Sequence, residues 1–223
     1  MSPKVLIFDA YGTLFDINAA SCILADEIGP VWSDFSFLWR EKQLAYTWLR
    51  SLMNSPWKSF WGITEDALDY ALEFYELDPV LWRERLLDIY FELPAFEEVP
   101  TALSLLKQMY PDAAFGILSN GSTEMLDAAV EGSGLRPSLD AVLSVDDVGV
   151  FKTHPKTYNL VLEKFPSICS SDVLFFSSNG WDVAGAGQFG FQTVWINRNQ
   201  NILENLPQVP NVTVSTLTQF VHL

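Results

Sequence analysis

The sequence predicts an α/β fold: a Rossmann-like parallel sheet core flanked by helices, with an inserted all-helical cap. Three observations predict it. Short apolar runs of β type recur along the chain, and each is followed by polar residues and a stretch of helical period. One long interval between the first and second runs carries helical patterns alone.

The first run spans residues 4–8, and the unbroken apolar character of 5–8 suits a strand covered on both faces. The helical interval follows, with patterns over 34–53, 64–75 and 79–91 and a break at Ser55-Pro56. Pro94 and Pro100 flank the return to the sheet. Further strands are expected at 113–118, 141–144, 172–176 and 191–196, and a polar stretch at 197–210 leads to a last strand and helix. This divides the chain into an α/β core of residues 1–15 and 96–223 and a helical cap of residues 16–95.

With 223 residues, 49% of them hydrophobic and 14% aromatic, the chain can bury a substantial core. Its 13 Lys and Arg against 28 Asp and Glu give a formal charge of -15. That field repels nucleic acid and anionic membrane, so neither is expected as a partner, and a small anion would need a local basic pocket. Cys22 and Cys169 lie far apart without ligand-like spacing. No disulfide framework or zinc site is expected, and a reduced, cytoplasmic setting fits. The apolar stretch at 5–8 is too short for a signal segment or a membrane span.

In an open α/β sheet the ligand crevice lies outside the carboxyl ends of the strands. Asp9, Tyr11 and Thr13 follow the first strand, and Ser119, Asn120, Gly121 and Ser122 the second. Lys152 lies beyond the third, and Ser177, Ser178, Asn179 and Asp182 follow the fourth. A carboxylate can form a covalent intermediate when neighbours orient it and neutralise developing charge, and Thr13, Ser119 and Lys152 are placed to do so for Asp9. Each group also has a plainer reading: Asp9 as a turn residue, Lys152 as a solvated lysine, Asp182 as a helix cap, Ser177 and Asn179 as loop residues. Tyr158, one turn into a helix starting near Pro155, either steadies the Lys152 ammonium or is a half-buried helix aromatic.

Arg40, Leu44 and Trp48 share one helical face. It is either a core stripe with Arg40 reaching past its edge or a guanidinium aimed at a departing anion. Phe60 and Trp181 would complete an apolar wall. Residues 185–190 fit GxGxxG, but they follow a helical stretch and precede a strand, the reverse of what dinucleotide binding requires. Close helix packing is their expected use. With His154 and His222 as the only histidines and no GxSxG elbow, a Ser-His-Asp hydrolase has little support.

The ordered set Phe8-Asp9-Ala10-Tyr11-Gly12-Thr13-Leu14-Phe15-Asp16, Leu118-Ser119-Asn120-Gly121-Ser122, Lys152 with Tyr158, and Ser177-Ser178-Asn179-Gly180-Trp181-Asp182 resembles the haloacid dehalogenase superfamily. More narrowly it resembles the (S)-2-haloacid dehalogenases, through residues 38–53 and through Phe189-Gly190-Phe191 and Trp195-Ile196-Asn197-Arg198 as well. The likeness covers nearly the whole chain. Two positions depart: Thr153-His154-Pro155 follows Lys152 where these enzymes often place proline directly, and Gly180 stands where alanine is common.

The resemblance implies that Asp9 attacks C2 of a short 2-haloalkanoate, expels halide with inversion and leaves an aspartyl ester that water hydrolyses. It implies that Thr13 orients Asp9, and that Ser119, Lys152 and backbone amides near Tyr11 and Asn120 hold the substrate carboxylate. Arg40 and Asn120 would receive the halide, while Ser177, Asn179 and Asp182, with Lys152 and Tyr158, would position nucleophile and water. It implies a homodimer and no cofactor. The alternative within the superfamily is a magnesium-dependent phosphatase, which places a second Asp two residues after the nucleophile. Tyr11 holds that place here, and hard divalent ions need such oxygen ligands, so no metal is expected. A non-catalytic binding module is a third reading, and no candidate reacting group is missing that would favour it.

Overall fold

The computed structural model describes residues 2–91 and 93–223, leaving aside the side chains of residues 18–23 and 91. Strand β1 (Val5–Phe8) is buried along its whole length. The pleat sorts its side chains: Leu6 and Phe8 join one apolar cluster, Val5 and Ile7 another on the opposite face. Strands β2 (Ala114–Ser119), β3 (Ala141–Ser144), β4 (Val173–Ser177), β5 (Gln192–Ile196) and β6 (Val212–Val214) complete a six-stranded sheet in the order β3-β2-β1-β4-β5-β6. All its pairings are parallel. The strand order reverses between β1 and β4, and that switch point is where a crevice opens beyond the strand ends.

Between β1 and the rest of the sheet come α1 (Ile17–Ile28), α2 (Trp32–Leu52), α3 (Phe60–Phe74) and α4 (Pro79–Asp88), which tightens into a 3-10 turn at Ile89–Phe91. The sequence pattern predicts the last three to within a few residues. It does not predict α1, where residues 17–24 carry no charge to mark a solvent-facing side and only Asn18 and Ser21 to suggest a helical period. Side-chain caps start α3 and α4: the Ser59 hydroxyl accepts from Gly62 N–H, and Asp78 accepts from Val80 N–H beside Pro79. The outgoing and returning segments lie side by side, with Asp16 N–H donating to the Pro94 carbonyl at 2.8 Å and Phe96 N–H to that of Leu14 at 2.9 Å.

Helices α5 (Val99–Met109), α6 (Thr123–Gly132), α7 (Pro155–Lys164), α8 (Gly180–Phe189) and α9 (Leu217–Val221) pack around the sheet. The GxGxxG stretch falls in α8 and the turn before β5, as the packing reading expects. Gly185 lets α8 close on α7: a Cβ there would stand 2.5 Å from the Tyr158 hydroxyl. Among the described residues no helix is long and apolar enough to cross a membrane. Cys169 is exposed and free; the side chain of Cys22 lies outside the described residues.

Candidate active site

Asp9 directly follows β1, and its N–H donates across the switch point to the Phe176 carbonyl on β4 at 2.8 Å. Its carboxylate is buried and asymmetrically held. Oδ2 accepts from Thr13 Oγ1 at 2.9 Å, Asn179 Nδ2 at 3.0 Å and Ser177 Oγ at 3.4 Å, whereas among the described residues Oδ1 accepts only from Lys152 Nζ at 3.1 Å. The turn that brings Thr13 back to Asp9 needs Gly12 in the left-handed region (φ +81), where a side chain would also press on Ser178 Oγ at 3.0 Å. Ser177 further fixes the loop by accepting from Asn179 N–H at 3.1 Å.

Lys152 is buried between two carboxylates, with Nζ 3.1 Å from Asp9 and 2.7 Å from Asp182. Burial pulls its pKa down, but Asp182 and Asp9 together outweigh that and raise it. The magnitudes agree, since two attractions of about 4 kcal/mol each at an effective dielectric near 20 exceed a desolvation cost of several kcal/mol. Burial pushes the Asp182 carboxyl up to about 6, against the pull of Lys152 and with the push of Asp9. The solvated-lysine reading is therefore corrected, because a cation drawn to two buried acids has no reason to face water.

Two further readings are corrected. Asp182 does not cap α8: Asn179 holds the N-cap position, and the Asp182 carboxylate turns inward, where Lys152 and Tyr158 offer charge and hydroxyl instead of a single backbone N–H. Tyr158 does not touch the ammonium; its hydroxyl donates to Asp182 Oδ1 at 2.8 Å, so it steadies Lys152 only through Asp182.

A small cavity joins the helical layer to the strand ends. It is lined by Asp9, Tyr11, Arg40, Leu44, Phe60, Ser119, Asn120, Lys152, Asn179 and Trp181. Thr13, Ser177, Tyr158 and Asp182 stand behind this lining as supports. Asn120 Oδ1 accepts from Lys152 N–H at 2.9 Å, which leaves its NH2 group as the donor end. Trp48 packs edge-on against Trp181 with centroids 5.4 Å apart, so the face shared by Arg40, Leu44 and Trp48 meets the core here. An open cleft of about 450 Å³ adjoins the cavity, sharing Tyr11, Arg40 and Asn179 with it and reaching Tyr90 and Arg198.

Sequence reasoning missed the groups that hold this lining in place. Gln43 is fully buried and accepts from Arg40 Nη1 at 3.3 Å and from Tyr90 OH at 3.2 Å, while its NH2 donates to Thr64 Oγ1 at 2.9 Å. Thr64 in turn donates to the Phe60 carbonyl at 2.9 Å. Ser178 N–H donates to Thr13 Oγ1 at 2.8 Å, and Arg198 Nη2 donates to the Thr13 carbonyl at 2.9 Å while pairing with Glu98 and lying over Phe96. The spacing of Gln43 three residues after Arg40 was the one available signal. Among the described residues no group of three or more His, Cys, Asp or Glu is arranged to hold a metal.

Chemically, the arrangement offers a carboxylate anchored through one oxygen, a buried cation on the other, and a guanidinium lining the same cavity. A family model described as haloacid dehalogenase-like hydrolase matches residues 3–190. The (S)-2-haloacid dehalogenase of Pseudomonas sp. strain YL is 42% identical over 221 residues, covering 99% of this chain and 94% of that protein. The haloacetate dehalogenase H-2 of Moraxella sp. strain B is 39% identical over 221 residues, covering 99% and 97%. Among solved structures, the L-2-haloacid dehalogenase of Xanthobacter autotrophicus with chloropropionic acid covalently bound superimposes with a TM-score of 0.89 at 32% identity, covering 100% of this chain and 98% of that one.

Proposed function

The chain belongs to the haloacid dehalogenase-like hydrolases and, within them, to the (S)-2-haloacid dehalogenases, and from that premise we propose that it converts short (S)-2-haloalkanoic acids to (R)-2-hydroxyalkanoic acids and halide through an ester on Asp9. The observation that carries this reading is the asymmetry of Asp9. With Oδ2 fixed by three donors and Oδ1 meeting, among the described residues, Lys152 alone, one oxygen is anchored and the other keeps a lone pair for carbon. The covalently bound chloropropionic acid in the Xanthobacter autotrophicus enzyme supports an ester-forming course.

In this course Oδ1 bonds to C2 from the side opposite the halogen, the carbon–halogen bond breaks with its electron pair going to the halide, and C2 inverts. Water then adds to the ester carbonyl of Asp9 and the carbonyl–oxygen bond to the former substrate breaks. The hydroxy acid leaves, with one net proton lost to solvent. Thr13, Ser177 and Asn179 orient the nucleophile. Ser119, Lys152 and the backbone amides near Tyr11 and Asn120 hold the substrate carboxylate, and Arg40 with Asn120 receives the halide. Asp182 and Tyr158 keep Lys152 in place, and Leu44, Phe60, Trp181 and the Tyr11 ring exclude water, which strengthens every charge interaction inside. Residues 16–95 act as the cap over a core of residues 1–15 and 96–223, in a cytoplasmic homodimer without cofactor or metal.

Halide release from (S)-2-chloropropionate is expected without added metal and in the presence of chelator. A single turnover in heavy-oxygen water, with enzyme in excess, is expected to place the label in the Asp9 side chain, read by mass spectrometry of the peptide. Label found only in the hydroxy acid would point to direct attack by water. Hydrolysis of a phosphomonoester only when magnesium is supplied would replace the reading with the phosphatase alternative.

A further inference from the structure

We infer that the Tyr11 hydroxyl is a catalytic hydrogen-bond donor to the departing halide, completing a cradle with Arg40 and Asn120; this rests on the dehalogenase reading above. Among the described residues, three buried side-chain polar atoms lack a partner: Tyr11 OH, Asp146 Oδ1 and Arg198 Nε. The last two belong to groups bonded through their other atoms, Asp146 to Thr123 N–H and Arg198 to Glu98 and Thr13. Tyr11 has a single polar atom, so its side chain is wholly unsatisfied by the protein. A buried donor left in that state destabilises the fold unless a ligand meets it.

The position of the hydroxyl is fixed from three sides. The ring stacks on Phe60 with centroids 6.3 Å apart, leans on Phe15 at 6.3 Å, and rests on Gly121, where a Cβ would meet the ring at 2.7 Å and the hydroxyl oxygen at 3.0 Å. The hydroxyl thus stands against Gly121, next in sequence to Asn120, and Tyr11 lines one cavity together with Arg40 and Asn120. That neighbourhood is the one assigned to the halide. Burial first, then the fields of Tyr90 and Asp9, raise the phenol pKa against the pull of Arg40, so the group arrives protonated. As the carbon–halogen bond breaks, the electron pair goes to the halide and the phenol donates to it while keeping its proton. The position two residues after the nucleophile then serves the leaving group, as a neutral donor where an acid would repel an anion.

Tyr11→Phe keeps the ring and deletes the donor. Single-turnover halide release is to be compared across (S)-2-bromo-, (S)-2-chloro- and (S)-2-fluoropropionate. The loss is expected to be smallest for bromide and to rise towards about 100-fold for the poorest leaving group that the parent turns over. Bromide is also expected to weaken as a product inhibitor, and the thermal midpoint to stay at or above the parent value, because an unsatisfied buried group has been removed. Equal loss for all halogens, no loss, or a lowered midpoint would overturn the inference and give the hydroxyl a structural role or none. A parent that releases no halide from any of the acids would instead sink the dehalogenase reading itself.

Discussion

Mild acid reaches the proposed site through Asp182. Its carboxyl, lifted by burial and the nearby Asp9 against Lys152, titrates at about 6. Below that it becomes neutral, its charge-assisted bond to Lys152 is lost, and the ammonium is drawn to Asp9 alone, onto the oxygen that has to reach carbon. Halide release is therefore expected to fall as pH drops through about 6, and a rate that stays flat there would break the link. Stability runs the other way in this window: a carboxyl whose folded pKa lies above its ordinary 3.8 binds its proton more tightly when folded. Asp182 thus lowers unfolding free energy as pH rises from 3.8 to about 6. Denaturant unfolding across that range checks the sign. The groups proposed for the site were legible in the sequence because each stands at a strand end or in an ordered motif, as Asp9, Ser119, Ser177 and Asp182 do. Gln43, Thr64 and Tyr90 were not, because an amide, a hydroxyl and a phenol on separate elements acquire a joint role only when tertiary packing gathers Thr64 and Tyr90 around Gln43, which accepts from Arg40.

At the level of elements, the strands were the clearest feature. β1 is four apolar residues between Lys4 and Asp9, a pattern that needs cover on both faces and so implies a parallel sheet. β6 is only three residues, and its place beside β5 comes from pairing rather than from its own sequence. The glycines at 185–190 fit GxGxxG in the wrong context and were expected to serve helix packing, and Gly185 is such a contact, which makes it the element-scale test. A Cβ at this position would stand 2.5 Å from the Tyr158 hydroxyl and 2.8 Å from Thr153 Cγ2. Gly185→Ala is expected to cost about 1–3 kcal/mol as overpacking, and hence several degrees of thermal midpoint at about 2–4 °C per kcal/mol. Because the clash pushes Tyr158 off Asp182, activity is expected to fall with it. The same substitution in a Tyr158→Phe background is expected to cost less stability, since the nearest clashing atom is gone. A Gly185→Ala protein with parent midpoint and rate would show that α7 and α8 give way freely.

Across the whole molecule, two opposing features decide assembly. Each chain carries a formal charge of -15, which keeps copies apart at long range. Yet Phe37, Leu49, Leu52 and Met53 on or just past α2, with Tyr70 and Phe74 on α3, are exposed apolar or aromatic side chains on two helices that pack together. Fully burying side chains of this size recovers about 1.5–3 kcal/mol apiece, so six of them compare well with an association cost of about 4–15 kcal/mol. Salt decides the balance, because charges more than about 10 Å apart are largely screened at 0.1 M ionic strength while apolar contact is not. The proposed homodimer is accordingly expected to give a light-scattering mass near twice 25.1 kDa at physiological salt and to loosen on dilution at low salt. Leu52→Glu, which puts a charge on the most exposed of these positions (82%), is expected to shift the mass towards one chain without lowering the thermal midpoint of the monomer. A mass near 25.1 kDa at both salts would show that the α2 and α3 face has no second copy to cover it.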